Sequence, residues 1–137
     1  MDDQTIRRAA DAHAVMAAIS EHDEQVAVVE YLYSRYPSAL FWATPNGARL
    51  SGGPSKRARQ MNALKAEGFL PGVSDLIIFE PRGKYSCMFL EMKRRKGGTV
   101  SDNQLDFLEQ VEQRGAFTAI AHGAADAIAA IDEYMSL

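Results

Sequence analysis

"SDLIIFEPRGKYSCMFLEMKRR", residues 74–95, reads as a β-hairpin whose register decides the rest of the fold. Residues 75–79 and 86–92 are apolar runs of strand length, and "EPRGKY" between them carries the Pro and Gly of a turn. Side chains alternate along a strand, and opposed residues of an antiparallel pair share a face. A turn centred on Gly83 therefore sets Asp75 opposite Glu91. It also aligns Asp75, Ile77 and Phe79 on one face with Cys87, Phe89, Glu91 and Lys93. A slip of one residue would destroy that alignment.

Two carboxylates opposed inside a sheet repel. At about 5 Å and an effective dielectric near 20 the penalty is roughly 3 kcal/mol. A favourable cross-strand pair contributes only ~0.2–1 kcal/mol. A shared proton or a cation must offset the difference. Hard oxygen ligands favour Mg²⁺ or Mn²⁺, held by one or two carboxylates together with water and phosphate oxygens. Such an open site suits metal-assisted attack of water on a phosphodiester. Lys93, one strand step beyond Glu91, is placed to orient the water or to stabilise charge on the phosphate. Glu-x-Lys alone is a weak motif, and a surface ion pair with Asp75 as a turn residue is the plainer reading of it. The hairpin register and its apolar flanks shift the balance toward the metal-binding reading and leave the plainer one open.

Working outward, an Ala-rich stretch over 4–18 predicts a helical extension, so residues 1–19 stand apart from a domain over 20–137. Ser20 is an N-cap followed by acids at 21, 23 and 24. Val26, Val28, Val29, Leu32 and Tyr33 form an apolar stripe until Tyr36-Pro37 stops the helix. Residues 40–43 are a short strand, "TPNGARLSGGPSK" is loop, and 56–67 is a helix closed by Gly68. After the hairpin, Ser101 opens a helix that Arg114-Gly115 ends, "AFTAIA" is a strand, and 124–135 is a helix. This order implies an α/β fold, a small mixed β-sheet flanked by helices.

At 137 residues and 47% hydrophobic composition the chain suits one domain with a real core. The single cysteine, Cys87, lies in an apolar run, which predicts a buried reduced thiol and no disulfide framework. Neither a signal-peptide core nor a bilayer-length apolar run is present, so a cytoplasmic protein without membrane partners is expected. Net charge is −3, yet the charge is segregated. Arg49, Lys56, Arg57, Arg59 and Lys65 face Glu67 alone in residues 46–68, and Lys93, Arg94, Arg95 and Lys96 are contiguous. Residues 101–137 hold seven acids against Arg114. A basic face of this kind is what a phosphate backbone reads; a set of solvated loops is the alternative for either segment. Asn46, Arg49, Lys56, Arg57 and Arg59 are candidates for DNA backbone contact, as are Arg94, Arg95 and Lys96, although Asn46-Gly47 also reads as a simple turn. His13, His22 and His122 lack ligand spacing and read as ordinary surface residues, and Trp42 with Phe41 reads as core, with a base-stacking platform as the alternative.

"SEHDEQVAVVEYL", "TPNGARL", "PGVSDLIIF", "FLEMKRR" and "SDNQLDFL" together resemble the VRR-NUC domain, a virus-type replication-repair nuclease of the PD-(D/E)xK superfamily. The resemblance covers about residues 20–134 and implies a stand-alone nuclease with a restriction-endonuclease-like core. By resemblance, Asp75, Glu91 and Lys93 take the catalytic positions and the Met92 backbone carbonyl joins the metal shell. Ser74 stands where the superfamily name suggests Pro. Glu21 and Gln25 match a family Glu-x-x-x-Gln, with Glu21 expected to hold water or a second ion and Gln25 to support it. Helix-dipole and capping work is the alternative for Glu21, and Glu24 is its backup. Gln104 matches a family Ser-x-x-Gln that reaches the active site, and the same spacing is a capping box. The implied activity is a Mg²⁺- or Mn²⁺-dependent DNA endonuclease on branched or Holliday-junction-like DNA, acting as a homodimer in a prokaryotic or phage-infected cell. No small-molecule cofactor is expected, and a non-catalytic nucleic-acid-binding module is the rival.

Overall fold

Residues 19–45 and 50–137 are described by the structure, a computed structural model. The predicted 4–18 helix and the 46–47 turn lie outside them. The described residues form four helices and one four-stranded sheet. The first helix, α1 (Glu21–Arg35), starts where Ser20 Oγ accepts the Asp23 N–H at 3.1 Å. Pro37 has no N–H to continue it, and the Tyr36 N–H closes the last turn on the Leu32 carbonyl. Glu24, Val28 and Leu32, four residues apart, make the buried line. Val26 and Tyr33, included in the apolar stripe above, are exposed because they lie well round the helix from that line.

Strand β1 (Phe41–Ala43) leads through the loop to α2 (Pro54–Ala66). That helix begins two residues earlier than its Lys56 start predicted, because Pro54 takes the first helical position with Gly53 as cap. None of its residues is buried. Strands β2 (Leu76–Ile78) and β3 (Met88–Lys93) form the hairpin, with Leu76 opposite Leu90, Ile77 opposite Phe89 and Ile78 opposite Met88. That is the register read from the sequence. The tip closes between Arg82 and Tyr85, one residue out of step with the ladder, so the turn centre falls between Gly83 and Lys84. The mismatch is absorbed before Met88 and leaves the carboxylate end in phase.

Helix α3 (Asp102–Gln113) then crosses over to β4 (Phe117–His122), which pairs parallel with β3, and α4 (Ala124–Met135) ends the fold. The sheet order is β1-β2-β3-β4, antiparallel except for the last pair. One sheet face carries Leu76, Ile78, Met88, Leu90 and Met92 and packs with Val28 and Leu32 of α1 and Ala127, Ile131 and Tyr134 of α4. The other carries Ile77 and Phe89, and Phe89 meets Phe107 of α3 edge to face at 5.3 Å. Cys87 is buried and unpaired by disulfide, as its apolar surroundings imply. Phe41 packs against the core, but Trp42 points to the other face and is half-exposed, so the core reading fails for it. Among the described residues no helix is long and apolar enough to cross a membrane.

Candidate active site

Strand alternation delivers Asp75, Glu91 and Lys93 to the face opposite the core, at the end of the sheet where β2 begins and β3 finishes. All three are buried, at 2%, 1% and 8% exposure. Asp75 stands one residue before β2, and its backbone carbonyl accepts the Thr44 N–H at 2.9 Å. Its Oδ2 accepts the Met92 N–H at 2.6 Å, which fixes the carboxylate against β3. Glu91 Oε1 accepts from Gln104 Nε2 at 2.5 Å and lies 3.4 Å from Lys93 Nζ. Its second oxygen, Oε2, is buried with no hydrogen-bond partner.

Gln104 both caps α3 and touches Glu91 and Lys93. Ser101 Oγ accepts the Gln104 N–H, and Gln104 Oε1 accepts the Ser101 N–H at 2.9 Å, so the capping box is complete. The same Oε1 accepts from Lys93 Nζ at 3.0 Å, while Nε2 holds Glu91. The reach depends on a close approach. Gly72 has φ +87°, and a Cβ there would lie 2.4 Å from the Asn103 carbonyl oxygen, so only glycine lets the loop before β2 seat against the first turn of α3.

Burial dominates the electrostatics. It raises Asp75 above the usual carboxylate range; the Met92 N–H opposes the rise, and the Glu21 carboxylate adds to it. Glu91 is pushed up to about 7, first by burial and then by Asp75, with Lys93 opposing. The pair thus resists carrying two charges unaided. A Glu91 oxygen that no N–H reaches, beside a second acid close enough to hydrogen-bond, suits a proton shared with Asp75 or a small divalent cation in its place. Among the described residues no group of three His, Cys, Asp or Glu side chains could hold a metal ion by itself; Mg²⁺ usually takes only one or two carboxylates and fills the rest of its shell with water and phosphate oxygens. Glu21 reaches Asp75 through its field and stands outside that pair, and Gln25 is half-buried one turn further on.

Other candidates are more scattered. Glu24, the backup for Glu21, is committed elsewhere: it pairs with Arg95 Nε at 2.6 Å and accepts the Ala124 N–H. Arg95 therefore spends part of its guanidinium on the fold, while Arg94 and Lys96 are exposed. Lys56, Arg57 and Arg59 are exposed on α2, and Asn46 and Arg49 lie outside the described residues. His22 and His122 are exposed, and His13 lies outside the described residues. Ser74, read only as a departure in the turn, is fully buried with an unpartnered Oγ beside Asp75. Its adjacency to the acid was the available signal.

The sequence model of the VRR-NUC domain matches residues 19–125. A solved structure described as a VRR_NUC domain protein aligns with a TM-score of 0.66 at 22% identity, covering 88% of this chain and 91% of that one. At that identity the likeness is one of fold. No curated protein matches the chain.

Proposed function

Because the chain belongs to the VRR-NUC domain family, with its nuclease-type fold, we propose that it is a divalent-metal-dependent endonuclease that hydrolyses phosphodiester bonds in branched DNA. The observation that carries this is the buried Asp75–Glu91 pair with Lys93 beside it and one carboxylate oxygen left without a donor. Asp75, Glu91 and the Met92 carbonyl would hold Mg²⁺ or Mn²⁺, with Glu21 behind them. A bound ion supplies Lewis acidity to the phosphoryl oxygen and favours deprotonation of water.

The chain's own residues do the positioning. The Met92 N–H keeps Asp75 Oδ2 turned toward β3. Gln104 clamps Glu91 Oε1 and Lys93 Nζ together, so the ammonium is presented in a fixed direction. Lys93 offers positive charge to the phosphate as negative charge builds on it, and burial strengthens that interaction over its value in water. Two equivalent cuts across a four-way junction call for two copies, hence a homodimer.

The test is cleavage of labelled junction, flap and linear DNA in Mg²⁺, Mn²⁺ or EDTA. We expect cutting that EDTA abolishes, a preference for branched substrates, and a loss of at least about a hundredfold in Lys93→Ala, a group acting on developing charge. Activity that persists in EDTA would sink the metal mechanism. Binding without cutting under every metal would instead assign a non-catalytic nucleic-acid-binding module.

A further inference from the structure

The face that carries Asp75 and Glu91 continues onto β1 and the end of β2. Trp42 lies opposite Ile77 and Ile77 opposite Phe89, so Trp42 and Phe79 share the face of the two acids. Two strand steps and one strand spacing place the Trp42 Cα roughly 8 Å from that of Asp75. Trp42 and Phe79 are 45% and 54% exposed, with ring centroids 5.9 Å apart and planes inclined at 46°. Leu40, on the same side of β1, is 57% exposed. The interior arrangement that would explain two such rings is absent among the described residues, because α3 packs at the β4 side of the sheet and α2 buries nothing.

We propose that Trp42 and Phe79, edged by Leu40, form a stacking platform for an unpaired nucleobase beside the phosphate being cut. This rests on the nuclease reading of the same face and narrows its substrate class to strands with unstacked nucleotides next to the scissile bond. Three observations select a nucleobase as the occupant. The rings are continuous with the carboxylate pair, so a phosphodiester held at Glu91 sends its neighbouring nucleotide across them. The excursion between β1 and β2 is α2, which holds Lys56, Arg57, Arg59 and Lys65 and no acid, so cations that attract a polyanion are joined in sequence to the two strands beside the rings. Trp and Phe present π faces that every base can stack on, and such contacts tolerate any sequence.

Trp42 is the sole tryptophan of the chain, so its emission reports contact directly. The full chain, in EDTA and low salt to prevent cutting, is titrated with a single-stranded oligonucleotide, the same strand bearing abasic sites, and a duplex of equal length. We expect quenching by the base-bearing single strand and little by the abasic strand or the duplex. By the anisotropy of a dye-labelled single strand, which needs no tryptophan, Trp42→Ala and Phe79→Ala should each bind at least about fivefold more weakly, and Trp42→Phe within about twofold of wild type. Equal quenching by the abasic strand would overturn the platform. So would Trp42→Ala with unaltered affinity, including the case where it sediments as a smaller species and thereby assigns the patch to a second copy. Mg²⁺-dependent cutting by wild type is measured in parallel. Cutting without base-dependent quenching removes the platform and keeps the nuclease; base-dependent quenching without cutting does the reverse.

Discussion

At the scale of single residues, Glu91 concentrates the physics. It is nearly inaccessible, faces Asp75, and is held at about 7 when no cation is present to share its charge. An acid whose pKa is raised on folding stabilises the fold fully below its unfolded value and loses that contribution as pH rises through the folded value. The metal-free protein should therefore lose thermal stability between about pH 4.5 and about pH 7, and Asp75 acts in the same direction. Glu91→Gln, an uncharged mimic of the protonated acid, should show a flatter Tm–pH curve over that window, and Mg²⁺ should raise the wild-type Tm most at its upper end. Parallel curves for the two proteins in calorimetry would mean that Glu91 is already ionised at little cost. The pair was legible in the sequence because strand period and hairpin length are arithmetic. The orphaned Oε2 and the clamp by Gln104 were not, since a side chain's second contact depends on how closely two elements approach.

At the scale of elements, the fold hangs on how α1, the segment after β3, and α4 meet. Glu24 joins all three: it pairs with Arg95 beyond β3 and accepts the N–H of Ala124 at the start of α4. Gly123 makes room, since a Cβ there would meet the Arg95 side chain at 2.6 Å. Breaking a buried pair from one side costs ~3–5 kcal/mol, and because the Arg95 side chain is 33% exposed, solvent screening discounts this to about 2–3 kcal/mol for Glu24→Ala. Glu24→Gln, which can still accept from Ala124, should lose less; urea denaturation measures both. A Glu24→Ala loss below about 0.5 kcal/mol would place Glu24 among ordinary surface positions. Helix caps and the hairpin register were legible because Ser20, Ser101 and the apolar alternation are local signals. A buried acid inside α1 was not, because its partners lie 71 and 100 residues away. Trp42 was misread for a related reason: the strand pattern gives its face, but only the placement of α3 tells that no helix among the described residues packs over it.

For the whole molecule, charge matters through its distribution, since a chain of net charge −3 should be repelled by nucleic acid. The acids gather on α3 and α4, at Asp102, Asp106, Glu109, Glu112, Asp126, Asp132 and Glu133, whereas α2 carries only cations. Helix α2 spans about 20 Å, buries none of its residues, and leaves and re-enters the fold at the end of the sheet that holds Asp75 and Glu91. A helix of that length without a packed face is marginal by itself, so a partner along it would stabilise it. Replacing Lys56, Arg57 and Arg59 with Ala costs no buried contact and keeps good helix formers. If each cation neutralises one phosphate of a duplex, each contributes about 0.9 to the slope of log affinity against log salt. The triple variant should therefore bind junction DNA more weakly at low salt, with a slope shallower by up to about 2.7, while its melting temperature stays unchanged. Binding isotherms at several salt concentrations supply the slope. An unaltered slope would move the phosphate contacts off α2 and onto Arg94, Lys96 and the surface around them.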